Sequence, residues 1–246
     1  MHLVTIGFCS SLASMSPIKS LLARIRIGQV SAPKEQIASR RDGPLQIHHL
    51  FLTGAIFDSD AKGLFNNFRE GRQEPQPSTR QGLYPDFYDT NPKTLELLEK
   101  LVLHMRPEVV LETGVANGAS TRRILAALSH NRGSGRLISC DIDDRVATAD
   151  LMANPRFEFV KIGAQSDFSD LVERLDKIDF FYHDSDHSYD QQLFEYSTVW
   201  DKLPNGGILF SDDINWSYAF LDFCVTVNRV PYVLSDTQKF SGFIQK

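Results

Sequence analysis

The feature that most constrains this chain is the run VVLETGVANGAS at residues 109–120. Three apolar residues, Val109, Val110 and Leu111, read as a buried strand. The strand stops at an acid, Glu112, and turns through Gly114 and Gly118 into a helix opening near Ser120. Glycine allows a sharp turn and lets backbone approach a ligand with no Cβ in the way. The new helix offers free N–H groups and the positive end of its dipole. A strand, acid, glycine turn and helix in this order form a nucleotide-handling device. It also predicts a parallel sheet, because the next strand must lie beside the first after a helical crossover.

The chain downstream carries that pattern on. Asn91-Pro92 reads as a helix start, with Asn as cap and Pro in the first turn. Leu95, Leu98, Leu101, Val102 and Met105 follow at helical spacing, and Arg106-Pro107 ends the run. Beyond 120 the sequence predicts helix 120–129, strand 135–142, a short helix 146–153, strand 157–162, a loop at 163–167 and helix 167–175. Strand 178–183, helix 189–201, strand 208–211 and helix 218–228 follow. Strands 231–235 and 240–245 close the chain as an antiparallel hairpin. The expected fold is α/β, a Rossmann-like, seven-stranded, mostly parallel sheet with a C-terminal antiparallel hairpin. Residues 84–246 are expected to form this domain and residues 1–83 an extension, acting as cap or oligomer contact. Five strands end in polar or acidic residues: Glu112, Asp141, Gln165, Asp184 and Asp212. In open α/β sheets that end is where ligands bind.

Residues 1–83 carry few chemical signals. MHLVTIGFCSSLASM at 1–15 has a short apolar stretch but no basic start, so a cleaved leader is not expected, and Met15 is an alternative start. Residues 17–27 suit a short amphipathic helix, residues 46–57 are apolar enough to be ordered, and residues 70–82 read as loop. YPDFY at 84–88 is an aromatic cluster suited to a pocket wall or to packing. The three cysteines, Cys9, Cys140 and Cys224, are far apart with no metal spacing, which predicts reduced thiols and a cytoplasmic protein. A net charge of −5 with no dense basic run disfavours nucleic acid as a partner. No apolar run approaches the ~20 residues of a membrane span.

The glycine turn has only two glycines where a dinucleotide fingerprint has three, and it lacks the G-K-[ST] of a phosphate loop. That argues against a nicotinamide oxidoreductase and for a cofactor without phosphates. Asp141, ending the second strand, can accept both hydroxyls of a ribose. Asp184, Asp212 and Asp213 end two strands expected to be neighbours. Three converging carboxylates repel one another unless a cation joins them, and oxygen ligands suit Mg²⁺ or a similar divalent ion. Imidazole titrates near working pH, so His187 can take a proton from a hydroxyl, and Asp186 is the rival base.

From about residue 91 to 246 the chain resembles class I S-adenosylmethionine-dependent methyltransferases. The resemblance rests on ETGVANGAS at 112–120, Asp141, IGAQSD at 162–167 and the terminal hairpin. Within that class it is similar to metal-dependent small-molecule O-methyltransferases of the catechol and of the macrolide or aminocoumarin sugar types. The resemblance implies Gly114, Gly118 and Ser120 along the methionine, Asp141 on the ribose, and Gln165 and Ser166 near the adenine. The family order in that last loop is Ser-Gln; here it is Gln-Ser. Glu112, Asn117, Ile142 and Asp184 complete the expected cofactor set. Asp184, Asp212 and Asp213 are the expected Mg²⁺ ligands. A lysine base occupies the position of His187 in the catechol type, a histidine in some sugar enzymes, and an acid like Asp186 serves the aminocoumarin type. The implied function is O-methylation of a small hydroxylated molecule, with no membrane partner; the oligomeric state is open, with the N-terminal 80 residues as the expected contact surface of a possible homo-oligomer. The alternatives are an oxygenase-like metal enzyme or a non-catalytic cofactor binder on the same fold.

Overall fold

A computed structural model describes residues 36–38, 44–46, 48–50, 83–85, 88–131, 133–235 and 239–246. The expected helix at 17–27, the loop at 70–82, Cys9 and the first fifteen residues lie outside the described residues, as does 51–57 of the apolar stretch.

Ten short strands are described. β1 (Gln36–Ala38) and β2 (Pro44–Gln46) pair antiparallel with each other. The others, β3 (His48–Leu50), β4 (Val109–Thr113), β5 (Arg136–Asp141), β6 (Phe157–Lys161), β7 (Phe180–His183), β8 (Ile208–Ser211), β9 (Tyr232–Ser235) and β10 (Phe240–Gln245), form one sheet. Its order is β3-β9-β10-β8-β7-β4-β5-β6. The seven predicted strands are all present. The eighth, β3, comes from the N-terminal extension and lies parallel to β9 at the sheet edge. Only β10 runs antiparallel to its neighbours β8 and β9.

The helices are α1 (Pro92–Met105), α2 (Ala119–His130), α3 (Ala149–Met152), α4 (Gln165–Glu173), α5 (Tyr189–Trp200) and α6 (Ala219–Thr226). α1 starts as its sequence dictates: Asn91 Oδ1 accepts from Lys93 N, Pro92 occupies the first turn, and Arg106 in the left-handed region ends the helix. The helix expected over 146–153 is split instead. Asp143 caps a 3₁₀ turn at Asp144–Val146, and α3 is a separate single turn after Thr148.

Each central strand sends alternate side chains to opposite faces. Val110 and Leu111 of β4 thus enter different cores. One core holds Val110 with Leu98 and Leu101 of α1 and Ile124, Leu125 and Leu128 of α2. The other holds Leu111 with Phe168 of α4, Tyr196 of α5 and Phe220 of α6. On the first face an aromatic file crosses four strands. Tyr182 meets Phe210 edge-on at 5.5 Å, Phe210 meets Phe243 at 5.9 Å, and Phe243 stacks on Tyr232 at 4.8 Å. From β4 the chain winds outward through β5 and β6, then returns to place β7 and β8 on the other side of β4. The winding reverses at the carboxyl ends of β4 and β7, where open α/β sheets bind ligands.

Candidate active site at the carboxyl ends of β4, β5, β7 and β8

The turn after β4 is built by close approach. Gly114 has a φ of +82°, and a Cβ there would fall 2.1 Å from the carbonyl oxygen of Asp184. Only glycine lets the β4 turn lie against the end of β7. Ala116 and Gly118 are also left-handed, at φ 45° and 77°. Gly118 is the cap of α2, so Ser120 lies inside the helix, buried, rather than at its opening. Asp141 ends β5 and orients this turn: its Oδ2 accepts from Val115 N at 2.8 Å and its Oδ1 from Asp143 N at 3.0 Å. Those bonds fix the carboxylate and leave lone pairs toward the partly open side.

Glu112 points beneath the turn and is fully buried. Its Oε2 accepts from Thr121 Oγ1 at 2.8 Å and Ser139 Oγ at 2.6 Å, while Oε1 has no partner. Burial pushes its carboxyl up to about 7, against the lowering effect of the hydroxyls of Ser120, Ser139 and Thr121. Asn117 faces outward. Its amide holds the backbone of Tyr84 at both ends, accepting from Tyr84 N at 3.0 Å and donating to Tyr84 O at 2.9 Å. The Tyr84 hydroxyl donates to Asp143 Oδ2 at 3.1 Å, so residue 84 straps the rim of the cleft. Ile142, beside Asp141, is an apolar side chain that is 72% exposed. Gln165 and Ser166 lie in the first turn of α4 instead of a loop, and Asp167 closes that turn by accepting from Gly163 N and Ala164 N. Gln165 Nε2 donates to Gln191 Oε1 at 3.0 Å, which bridges α4 to α5.

The second half of the site lies at the ends of β7 and β8. Asp184 Oδ2 accepts from Thr90 Oγ1 at 2.9 Å, and its Oδ1 lies 3.6 Å from His187 Nε2. One ligand atom each from Asp184, His187 and Asp213 lie within 4.8 Å of one another. Of the expected carboxylate trio, Asp184 and Asp213 therefore converge, with His187 in the third place. Asp212 is fully buried beside them; its Oδ1 accepts from Ser241 Oγ and its backbone N–H binds His183 O. Burial, then the charge of Asp184, push its carboxyl up to about 7. Burial alone would lower the His187 pKa, but the adjacent Asp184 carboxylate and the charges of Asp213 and Asp212 raise it. Asp186 is exposed and turned back on its own loop, accepting from Ser188 N and Ser188 Oγ.

Two charged residues beside the predicted site residues escaped sequence reading. Lys239, just before β10, places its ammonium 3.0 Å from Asp213 Oδ2 and 3.7 Å from Asp212 Oδ2. Glu195 of α5, fully buried, receives Thr113 Oγ1, His183 Nδ1, Ser185 Oγ and Gln191 Nε2, each at 2.7–2.8 Å. One carboxylate thus ties the end of β4, the end of β7 and the loop of Asp184. His183 in turn sets its ring edge-on to His187 at 5.5 Å. Sequence signals for either were slight: an acid on the buried face of an amphipathic helix, and a lysine in a hairpin. Beside this cluster opens a cleft of about 700 Å³, walled by Tyr88, Tyr189, Trp216 and Tyr218 with Ser185, Asp186 and His187.

Comparisons with known proteins agree with this geometry. Residues 111–214 match the model of a family described as a methyltransferase domain. No curated protein matches the chain in sequence. Among solved structures it is similar to an O-methyltransferase from Bacillus cereus, solved with S-adenosylhomocysteine. That match has a TM-score of 0.54 and 17% identity, over 65% of this chain and 83% of that one. It is similar to the O-methyltransferase TomG from Streptomyces achromogenes, solved with S-adenosylmethionine, at a TM-score of 0.53 and 15% identity over 65% and 82% of the two chains. A third is the methyltransferase PaMTH1 of Podospora anserina with S-adenosylhomocysteine, at 0.53 and 11%, over 79% of this chain and all of that one. Among the described residues no helix is long and apolar enough to cross a membrane. Its strand order and switch point give the chain the fold of class I S-adenosylmethionine-dependent methyltransferases, and residues 111–214 match the methyltransferase-domain family model.

Proposed function

We propose that this protein transfers a methyl group from S-adenosylmethionine to a hydroxyl of a small molecule. The observation that carries the reading is the direct seating of the cofactor-type turn on the acid-imidazole cluster, Gly114 against Asp184. The residues present fit the cofactor. Asp141 is fixed with lone pairs free for ribose hydroxyls, exposed Ile142 offers an apolar face for a ring, and the buried, unpartnered Oε1 of Glu112 suits an ammonium. When bound, the cofactor supplies a methyl on a sulfonium sulfur, an electrophile that needs no acid from the protein.

The chain's own task is then to position and deprotonate the acceptor. The aromatic walls of the cleft suit a phenol or a sugar ring, and the cleft volume suits a small molecule. His187 takes the hydroxyl proton at Nε2, and Asp184 stabilises the imidazolium that results. His187 is favoured over Asp186 because Asp186 is committed to Ser188. The site also fits a divalent ion. The carboxyl groups of Asp184, Asp212 and Asp213 outnumber the ammonium of Lys239 beside them, and Asp213 Oδ1 and His187 Nε2 are buried without hydrogen-bond partners. With an ion bound, Asp184, His187 and Asp213 would hold it with Asp212 behind them, and the ion, in place of the His187 base, would lower the acceptor's pKa so that its proton passes to water.

The test is incubation of the purified protein with S-adenosylmethionine and a panel of phenols and sugars, with and without chelator. S-adenosylhomocysteine release with a matching methyl ether is the expected result. His187→Ala should lower kcat by roughly 10²–10⁴-fold with cofactor affinity unchanged. Absence of cofactor binding would overturn the reading; chelator-insensitive transfer would remove the ion and keep the enzyme.

A further inference from the structure

Lys239 is not placed by chance of a long side chain. Its neighbour Phe240 is held on both sides by the loop after β8: Phe240 N donates to Asn215 Oδ1 at 3.0 Å, and Ile214 N donates to Phe240 O at 2.9 Å. That pairing brings the Lys239 backbone to the acidic loop, and the side chain is 11% exposed. Its ammonium lies 3.0 Å from Asp213 Oδ2 and 3.7 Å from Asp212 Oδ2. The second oxygen of Asp212 is taken by Ser241 Oγ. Asp213 Oδ1 is left, buried and without a hydrogen-bond partner. The lysine and the Asp184-His187-Asp213 cluster therefore share one carboxylate, that of Asp213.

Two cations on one carboxylate oppose each other. A unit charge a few ångströms from a divalent ion is strongly repulsive at the effective dielectric of a protein interior.

We propose that Lys239 is a resident competitor of the divalent ion, holding Asp212 and Asp213 by its own charge and keeping the ion affinity of the site low. This rests on the reading of Asp184, His187 and Asp213 as an ion site. Ion binding here is graded: the lysine sets how much free ion is needed before the cluster fills. Acidic sites gain affinity with net negative charge, so removing the one ammonium should tighten ion binding, whereas exchanging it for another fixed cation should not.

The experiment is Mn²⁺ titration of cofactor-free protein, read by the paramagnetic resonance of free Mn²⁺ and by thermal shift. The proteins are wild type, Lys239→Met, Lys239→Arg and Asp213→Asn. Lys239→Met should bind Mn²⁺ about tenfold or more tightly than wild type, with Lys239→Arg within about threefold of wild type and Asp213→Asn weaker. Lys239→Met binding no more tightly than wild type would overturn the proposal, as would Lys239→Arg matching Lys239→Met, or no binding by any of the four. If Lys239→Met does not fold, wild type alone still decides. Acetic anhydride should acetylate Lys239 faster when Mn²⁺ is saturating, and an unchanged rate would count against competition. S-adenosylhomocysteine affinity, measured on the same samples by calorimetry, separates failure of this proposal from failure of the methyltransferase reading.

Discussion

Gly114 and Glu112 sit two residues apart and show opposite uses of one turn. At Gly114 a side chain has no room: its Cβ would meet the Asp184 carbonyl at 2.1 Å, with φ at +82°. Gly114→Ala should therefore destabilise the domain by roughly 2–4 kcal/mol and abolish cofactor binding, read by denaturant unfolding and calorimetry. Glu112 has room but no water. Its folded pKa of about 7 lies above the 4.5 of an unburied glutamate. The folded state then holds its proton more tightly than the unfolded chain. This group's effect on stability is most favourable below pH 4.5, worsens as pH rises to about 7, and is constant beyond. Glu112→Gln should remove that loss, so the variant's stability relative to wild type should rise by about 3 kcal/mol between pH 4.5 and pH 8. Unfolding curves at the two pH values test this, and a difference that is flat with pH would contradict it. Glycine and acid were both legible as residues of interest, because each type is costly in a strand-to-helix turn without a reason. The unpartnered oxygen of Glu112 was not, since it depends on Thr121 and Ser139 from two other elements.

Elements were the most readable level, and the misreadings have local causes. The 3.6-residue period of α1 and the apolar runs of β4, β7 and β8 gave their positions, because the same side chains that pattern the sequence fill the two cores. The helix expected at 146–153 broke because the 3₁₀ turn capped by Asp143 ends at Val146 and Thr148 begins a separate turn. The eighth strand was invisible because three residues pairing at a sheet edge leave no period to detect. What joins elements was also out of reach. Glu195 reads as one more polar residue of α5, yet it collects bonds from β4, β7 and the Asp184 loop. Burial raises its pKa, but His183, Thr113 and Gln191 outweigh burial and lower it below 4.5. Its contribution is thus complete above pH 4.5 and lost as pH falls through the lowered value. Glu195→Ala should cost roughly 3–5 kcal/mol at neutral pH, and the cost should shrink in acid, as measured by urea unfolding at pH 7 and pH 3. In the hairpin, Phe243 joins β8 to β9 through rings on both sides, so Phe243→Ala should cost roughly 3–5 kcal/mol with little change in cofactor affinity per folded molecule.

At the scale of the molecule, the winding of the sheet places function. Reversal of strand order at β4 and β7 leaves a crevice, and the chain fills its floor with glycine and its far wall with acids. That much followed from alternating strands and helices, since each strand's last residue must face the same end of the sheet. The membership of the cation cluster did not follow, because it turns on which of Asp212, Asp213, His187 and Lys239 a few degrees of backbone bring together. Asp213 at φ 48° and Lys239 in the hairpin are outcomes of the assembled sheet. The central claim is that this crevice holds S-adenosylmethionine over Asp141, next to the acids. Calorimetric titration with S-adenosylhomocysteine, in wild type and in Asp141→Ala, tests it most directly. The account predicts single-site binding by wild type and a loss of about tenfold or more in Asp141→Ala, as expected for a carboxylate that holds ribose hydroxyls. No binding by folded wild type, or equal binding by the two, would contradict it.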